Sequence, residues 1–568
     1  MKSLAVAGCL AVVALSGTVR GQSTLYTFLG DAANDEFGWC IDGAGDVNAD
    51  GWSDIVVGAR YADSNGANAG IVRVFSGKTG AILYNWKGAK AYDHLGTSVA
   101  GIGDVNADGY ADILVGADGT DVNGSGAGSA SVYSGKTGTV LSTVSGTAAN
   151  DIFGTAVAGL GDVDADGRPD YAIGAPWNDN ANGVDGGSVR VVSGKNGNLL
   201  FTFIGDATSD YFGMTVTGAG DVNKDGRADI AVGAPYGDGP TGSASGYVRV
   251  FSGANGTVLY TLRGDSAGDN FGGSVAGAGD VNNDGWVDLI VGAQYDDPTG
   301  TSSGSASVMS GKNGAVLHKF VGDAATDLFG SSVSGAGDID HDGFADVLVG
   351  ATWDDNTGAN AGSMRVFSGF DGQALYTLNG VAAGDQFGYK VASVGDVNKD
   401  GTLDFAGTSY LAAQHGTASG FVRVWSPLPE PVVSYCTSKV NSLGCTPTIS
   451  HTGMPKVSGT AAFTIRATNE LAGHNGALFY GFVPQAKPFQ GGWLCIEQPL
   501  MRTTLLSSGG SGSACNGSYS FDFNNWIRNG GDPALVAGEL VCVQYWSRDP
   551  GALGTSNTTN ALRFVINP

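Results

Sequence analysis

Residues 45–54 read GDVNADGWSD. Carboxylate or amide side chains stand at 46, 48 and 50, a glycine follows at 51, and another aspartate closes the stretch at 54. Like charges this close repel unless something positive sits among them. The stretch returns as GDVNADGYAD (103–112), GDVDADGRPD (161–170), GDVNKDGRAD (220–229), GDVNNDGWVD (279–288), GDIDHDGFAD (337–346) and GDVNKDGTLD (395–404). Successive leading aspartates are 58, 58, 59, 59, 58 and 58 residues apart. So regular a period marks a repeat architecture, each unit being one supersecondary element stacked on its neighbours.

Each unit carries four short apolar runs in a fixed order. A run such as LYTFLG (25–30) comes first. Next is an Asp-x-(Phe/Leu)-Gly step with a small-residue strand, as in DEFGWCIDGAGD. The acidic loop then leads into DIVVGA, and IVRVFSG ends the unit. The runs are about five residues long, rich in Val, Ile and aromatics, and bounded by Gly, Asn and Asp, the marks of strands. No stretch shows a sustained helical period. Four strands repeated seven times predict an all-β, seven-bladed β-propeller. LYTFLG precedes the first loop and no such run follows FVRVWS at 421–426, so the first strand is expected to complete the last blade. Closure removes two open sheet edges. A solenoid is the alternative, and it would need capping units at both ends.

In each loop alternate side chains on a tight turn converge on one point, and the glycine permits the turn. The expected ligands are Asp46, Asn48, Asp50 and Asp54 with the carbonyl of Trp52, then Asp104, Asn106, Asp108 and Asp112 with that of Tyr110. Asp162, Asp164, Asp166 and Asp170 follow with Arg168, and Asp221, Asn223, Asp225 and Asp229 with Arg227. The last three sets are Asp280, Asn282, Asp284 and Asp288 with Trp286; Asp338, Asp340, Asp342 and Asp346 with Phe344; and Asp396, Asn398, Asp400 and Asp404 with Thr402. All are hard oxygen donors, three or four of them anionic, which suits Ca²⁺ and its six to eight ligands. One ion per blade, up to seven in all, is expected. No thiolate or imidazole set suits zinc or copper. Asp and Asn also favour turns without any ion, but the same four positions filled seven times argue for a metal. An EF-hand would need Glu at position 12, where the first loop has Val57, and flanking helices.

DxFG, the acidic loop and GAP (174–176 and 233–235) together resemble the FG-GAP repeat of the integrin α-subunit N-terminal propeller, in a secreted, bacterial-type form. The resemblance covers roughly residues 24–426. It implies calcium hairpins on one face of the propeller and ligand on the opposite face. It departs where the second repeat has Leu95 for the Phe and the seventh reads AGT (406–408) for GAP. All seven loops are complete here, whereas integrins keep only some of theirs.

After each VGA-type strand comes a polar loop, opened by Tyr61, Trp177, Tyr236, Tyr295, Trp353 or Tyr410; the second repeat has Asp118 there. Sevenfold geometry would set these aromatics as a ring away from the acidic hairpins. They either pack between blades or form a ligand site that stacks on sugar or engages a cation. Integrins use aromatics near this mouth to engage their β-subunit. The aspartate before each FG (Asp35, Asp93, Asp151, Asp210, Asp269, Asp327, Asp385) reads as a turn former.

The net charge is −25 over 568 residues, but setting the 23 loop aspartates aside from the 54 acidic residues leaves 31 against 29 basic. The acidity belongs to the loops, and nucleic acid is a poor partner for it. The opening MKSLAVAGCLAVVALSGTVRG predicts a signal peptide over 1–21 and hence a secreted or cell-surface protein. No later run reaches the ~18 apolar residues of a membrane span. SPLPEPVV (426–433) predicts a Pro-rich linker over 427–433 between a propeller at 22–426 and a β-sandwich-like domain at 434–568. Of the five cysteines beyond 430, the neighbours Cys436–Cys445 and Cys495–Cys515 are plausible disulfides, a pairing that sequence alone leaves open, and Cys542 or Cys40 can stay free. No GxSxG elbow, Walker loop or Cys/His set appears, so no catalytic residues are expected. Adhesion or binding of an extracellular protein or glycan is the functional expectation. The alternatives are a polysaccharide-active enzyme on a propeller scaffold and a structural surface or matrix component.

Overall fold

The computed structural model of the chain describes residues 22–427 without a break and most of 433–566, short segments at 437, 458–461, 483, 490–491, 497–498, 511–513, 536–539 and 553–555 excepted. The expected signal peptide and the middle of the expected linker (428–432) lie outside the described residues.

The chain opens on β1 (Gln22–Leu29), and the first full repeat follows as β2 (Cys40–Gly45), β3 (Asp54–Ala59), β4 (Ile71–Phe75) and β5 (Ile82–Lys87). These four form one antiparallel meander, and the same meander recurs at 95–145, 156–204, 215–263, 274–321 and 329–379. The seventh sheet has three strands of its own, Val391–Gly395, Asp404–Ser409 and Phe421–Pro427. β1 supplies the fourth, lying antiparallel to the last of them with Leu29 opposite Phe421 and Gln22 opposite Pro427. The innermost strands neighbour one another in cyclic order, and β2 touches both Leu95–Gly103 and Val391–Gly395. The result is a propeller of seven four-stranded blades clasped by its own N-terminal strand.

Position within a blade explains residue choice. β3 and its six equivalents are buried at every residue because blades press on both faces. Such strands read as continuous apolar runs. The outermost strand, ILYNWK in the first blade, is half exposed and alternates. The glycine of VGA is needed for blade contact: a Cβ on Gly58 would sit 2.3 Å from the Gly96 carbonyl oxygen of the next blade. The FG aromatics fill the same seams. Phe37, Phe153, Phe212, Phe271, Phe329 and Phe387 are buried, and Leu95 takes the equivalent place in the second repeat. Their backbones also bridge the blades, Gly70 to Leu95, Gly128 to Phe153 and onward around the ring.

In the C-terminal region, a sheet ordered Val433–Tyr435, Ser556–Val565, Leu540–Arg548, Asn475–Gly481 stands with a three-stranded sheet of Thr448–Thr452, Thr464–Glu470 and Gly517–Asp522. One apolar core takes Leu478, Val543, Tyr545 and Phe564 from the first sheet and Ile449, Ile465 and Tyr519 from the second, so the two pack as a sandwich. A six-residue helix, Phe523–Arg528, was not expected from periodicity; it is under two turns and starts where Asp522 accepts a hydrogen bond from Asn525 N at 3.1 Å.

The expected disulfides are corrected. Cys436 pairs with Cys495 and Cys445 with Cys515, closing separations of 59 and 70 residues, while Cys40 and Cys542 are free and buried. Neighbours in sequence do not pair because strand order decides proximity. Tyr435, just before Cys436, donates its hydroxyl to the Cys495 carbonyl at 2.6 Å.

Candidate functional site

In the first acidic hairpin the Asp46 carboxylate accepts from Asp50 N at 3.0 Å and from Gly51 N at 2.7 Å, Asn48 Oδ1 accepts from Asp50 N, and Asp50 Oδ1 accepts from Trp52 N. The pattern repeats in the other six hairpins. Gly51 holds φ +86°, a value that strains any residue with a Cβ. The turn is therefore held by its own acidic and amide side chains, which accept from its backbone N–H groups.

The ninth position differs from the others. Asp54 is fully buried; its Oδ2 accepts from Val47 N at 2.9 Å and its Oδ1 from Gly77 N at 3.0 Å, tying the hairpin to the end of β4. Asp112, Asp170, Asp229, Asp288 and Asp346 do the same in their blades. Burial chiefly, and the charge of the loop carboxylates in addition, pushes the pKa of Asp54, Asp112, Asp170, Asp229 and Asp288 up to about 6 and that of Asp346 to about 8. The seventh blade breaks the pattern. Pro427 stands where the others have glycine and brings no N–H, so Asp404 Oδ1 is buried with no hydrogen-bond partner.

These hairpins suit a hard cation. The donors are carboxylate, amide and main-chain oxygens, the set Ca²⁺ prefers. In the third and sixth repeats the carboxylate oxygens of Asp162, Asp164 and Asp170, and of Asp338, Asp340 and Asp346, lie within 4.8 Å of one another. Asp166 and Asp342 are not in those clusters. Asp166 accepts from Arg168 N, and Lys195 Nζ stands 3.8 Å from its other oxygen. Asp404 Oδ1 is a buried carboxylate oxygen with no hydrogen-bond partner, and burial pushes this group's pKa up to about 7, a cost that a bound cation relieves.

A third carboxylate cluster, Asp265, Asp269 and Asp296, lies outside the hairpins. Lys319 Nζ already reaches Asp265 at 2.9 Å and Asp296 at 3.0 Å, so its counter-charge is internal. The aspartates before FG act as turn formers: all seven are buried, and each accepts from the backbone N–H three residues earlier, as Asp35 does from Ala32 at 3.0 Å.

At the opposite ends of the same strands, the ring of aromatics divides. Trp177, Tyr236, Tyr295 and Trp353 are 47, 43, 39 and 39% exposed. Tyr61 and Tyr410 are half-buried between blades; Tyr410 lies 4.2 Å from the Tyr389 ring centroid and Tyr61 lies 5.3 Å from that of His94. Both packing and exposure thus occur in one ring. Sequence reasoning missed the residue after each FG, which sits at this same end. Trp39 and Tyr389 are two of these, and Trp39 forms one wall for Arg60, whose guanidinium lies 3.1 Å from the Trp39 centroid and 4.2 Å from that of Tyr61. Its Nε is 3.5 Å from Glu36 Oε2. The strand period could have shown it, since each inner strand begins at the end where the aromatic loops lie.

Between the inner strands runs an axial cavity of about 790 Å³ to which all seven blades contribute. Its wall includes Trp39, Asp42, Thr97, Thr155, Thr217, Ser274, Ser332 and Lys390, with Trp177 and Arg60 at the aromatic end.

Comparison with known proteins agrees with this architecture. The FG-GAP repeat family model matches residues 41–75, 95–133, 212–251, 271–309 and 329–367. Integrin alpha-5 of Xenopus laevis is 30% identical over 220 residues, 36% of this chain and 20% of its own length. Integrin alpha-V of Gallus gallus is 31% identical over 236 residues, 39% and 22% respectively. Integrin alpha pat-2 of Caenorhabditis briggsae is 32% identical over 229 residues, 36% and 18%. The chain thus spans about a fifth of the length of these relatives. The third and seventh blades fall outside the matched segments yet have the same strands.

Proposed function

We propose that this FG-GAP propeller of the integrin-α kind works at the cell exterior as a calcium-loaded adhesion or ligand-binding module. One observation carries the reading: every blade has an oxygen-donor hairpin at one end, and six of the seven carry an aromatic at the other, around a cavity that all seven line. Calcium at the hairpins neutralises the clustered carboxylates and keeps the ring shut. The partner, an extracellular protein or glycan, meets the aromatic face. Relatives named as integrins support binding rather than catalysis. Two disulfides are consistent with export. No helix of the described residues is long and apolar enough to cross a membrane. In this reading residues 1–21 direct export, 22–426 are the propeller, 427–433 an extended linker and 434–568 a separately folding β domain.

The test is a pull-down from the surface fraction of the producing cell with the full chain, in calcium and in excess chelator. Calcium-dependent recovery of a partner supports the proposal. Turnover of a polysaccharide in place of stable binding would overturn it in favour of an enzyme.

A further inference from the structure

We propose that the axial cavity binds an acidic sugar, a hexuronic-acid unit of a polysaccharide, with its carboxylate on Lys390 and its hydroxyls on the inner-strand wall. This rests on the ligand-binding reading above and names the chemistry of its site.

Lys390 breaks the sevenfold pattern. At the aligned position the other blades carry Cys40, Ser98, Ala156, Thr215, Ser274 and Ser332, all small and uncharged at neutral pH. Among the described residues no carboxylate lies within ion-pairing distance of its ammonium. This ammonium stands 5.6 Å from the Tyr389 ring centroid, a contact that leaves its charge without an anion, whereas the other charges of the mouth have charged or hydrogen-bonding partners. Arg60 stacks on two rings beside Glu36, and His94 Nδ1 lies 3.1 Å from Asp118. The Asp42 carboxylate accepts from Gly101 N at 3.1 Å. Burial also pulls the Lys390 pKa down, a cost that an anionic guest would offset.

The wall chooses the kind of anion. Thr97 donates to the His94 carbonyl at 3.0 Å, Thr155 to that of Ile152 at 2.7 Å, Thr215 to that of Gly272 at 2.9 Å and Ser274 to that of Gly330 at 2.8 Å. A hydroxyl has one hydrogen to give and two lone pairs to receive, so these side chains have only acceptor capacity left. A guest that complements many acceptors and one ammonium carries many hydroxyl donors and one carboxylate per unit. That describes a uronic acid. An acidic peptide also brings one carboxylate per residue, but its side chains carry no hydroxyl donors, so the acceptor oxygens of the wall stay unmatched. Trp177 at the rim, 47% exposed, offers a flat face for a sugar ring. The volume lies within the ~300–1,000 Å³ of small-molecule sites.

The experiment is calorimetric titration of the calcium-loaded full chain with tetragalacturonic acid, its fully methyl-esterified form and a tetra-aspartate peptide. The acid is expected to bind, and esterification to weaken it by at least about tenfold. Lys390→Met should reproduce that loss, and Lys390→Arg should retain binding, which separates a lost charge from a damaged fold. Equal binding of acid and ester, undiminished binding by Lys390→Met, or peptide binding as tight as the sugar's overturns the proposal. If none of the three binds while the surface pull-down still recovers a partner, the uronic-acid site is wrong and the ligand-binding reading stands.

Discussion

Lys319 stands directly across its ladder from Ser307 and supplies the positive charge that arginine supplies at Ser307's position in neighbouring blades. Arg73, Arg249 and Arg365 occupy that position in the first, fourth and sixth blades, where they pair with Asp31, Asp206 and Asp323. In the fifth blade the charge has moved one strand outward but still meets Asp265 and Asp296. Lys319→Ala should destabilise the propeller by about 1–2 kcal/mol, between the values for exposed and buried pairs. Adding Ser307→Arg should recover most of that loss. Additive effects of the two changes in denaturant unfolding would refute the exchange.

Metal removal should lower stability steeply. Extracellular calcium modules bind with Kd of ~10⁻⁴–10⁻³ M, so a tenfold excess of ion over Kd contributes about 1.4 kcal/mol per site. Seven such hairpins would contribute on the order of 10 kcal/mol, comparable with the whole net stability of a domain. Thermal scans with and without excess chelator should differ by many degrees; coincident scans would rule out a structural role for the ion.

Removing β1 should open the ring. Without residues 22–29 the strand Phe421–Pro427 loses its antiparallel partner and becomes an exposed edge. The shortened chain is expected to self-associate and to unfold less cooperatively, as read by light scattering and calorimetry.

The C-terminal region should show a pH dependence of its own. Burial, chiefly, raises the Glu470 pKa to about 7; the Asp549 charge adds to this, and the hydrogen bond from Ser547 at 2.8 Å opposes it. The unfolded chain releases this proton near 4.5 and the folded chain near 7, so the unfolded state binds fewer protons between those values. Stability should therefore fall as pH rises from about 4.5 to about 7, by roughly 2–4 kcal/mol in total. Glu470→Gln should flatten that slope in urea midpoints taken across the window.

Breaking the cross-links should test the corrected pairing. Cys436→Ser and Cys445→Ser each release a long loop, worth roughly 4 kcal/mol in the unfolded chain. Peptide mapping without reduction should recover Cys436 with Cys495. A Cys436–Cys445 peptide would contradict the strand order described above.

The blade count, the strand order within each blade and the acidic hairpins were legible in the chain because they are local and periodic. Each depends on residues within about 58 positions, and errors of register would have shown as a broken repeat. The turn role of Asp35 and its equivalents was equally local, since acceptor and donor are three residues apart. Even the clasp by β1 could be read, because a strand without a counterpart at the other end must find one. What escaped were contacts made by closing the ring or folding one sheet over another. Lys390 and Arg60 look ordinary until seven inner strands gather round one axis. The cysteines pair according to which strands lie together, and periodicity carries no information on that. Asp404 loses its partner because Pro427, 23 residues later, lacks an N–H, a defect visible only once the two strands are side by side. The sequence by itself determined the repeating unit, through spacing and local hydrogen bonding; the tertiary structure alone decided which unlike residues meet at the axis and in the C-terminal sheets, because those meetings depend on long-range packing.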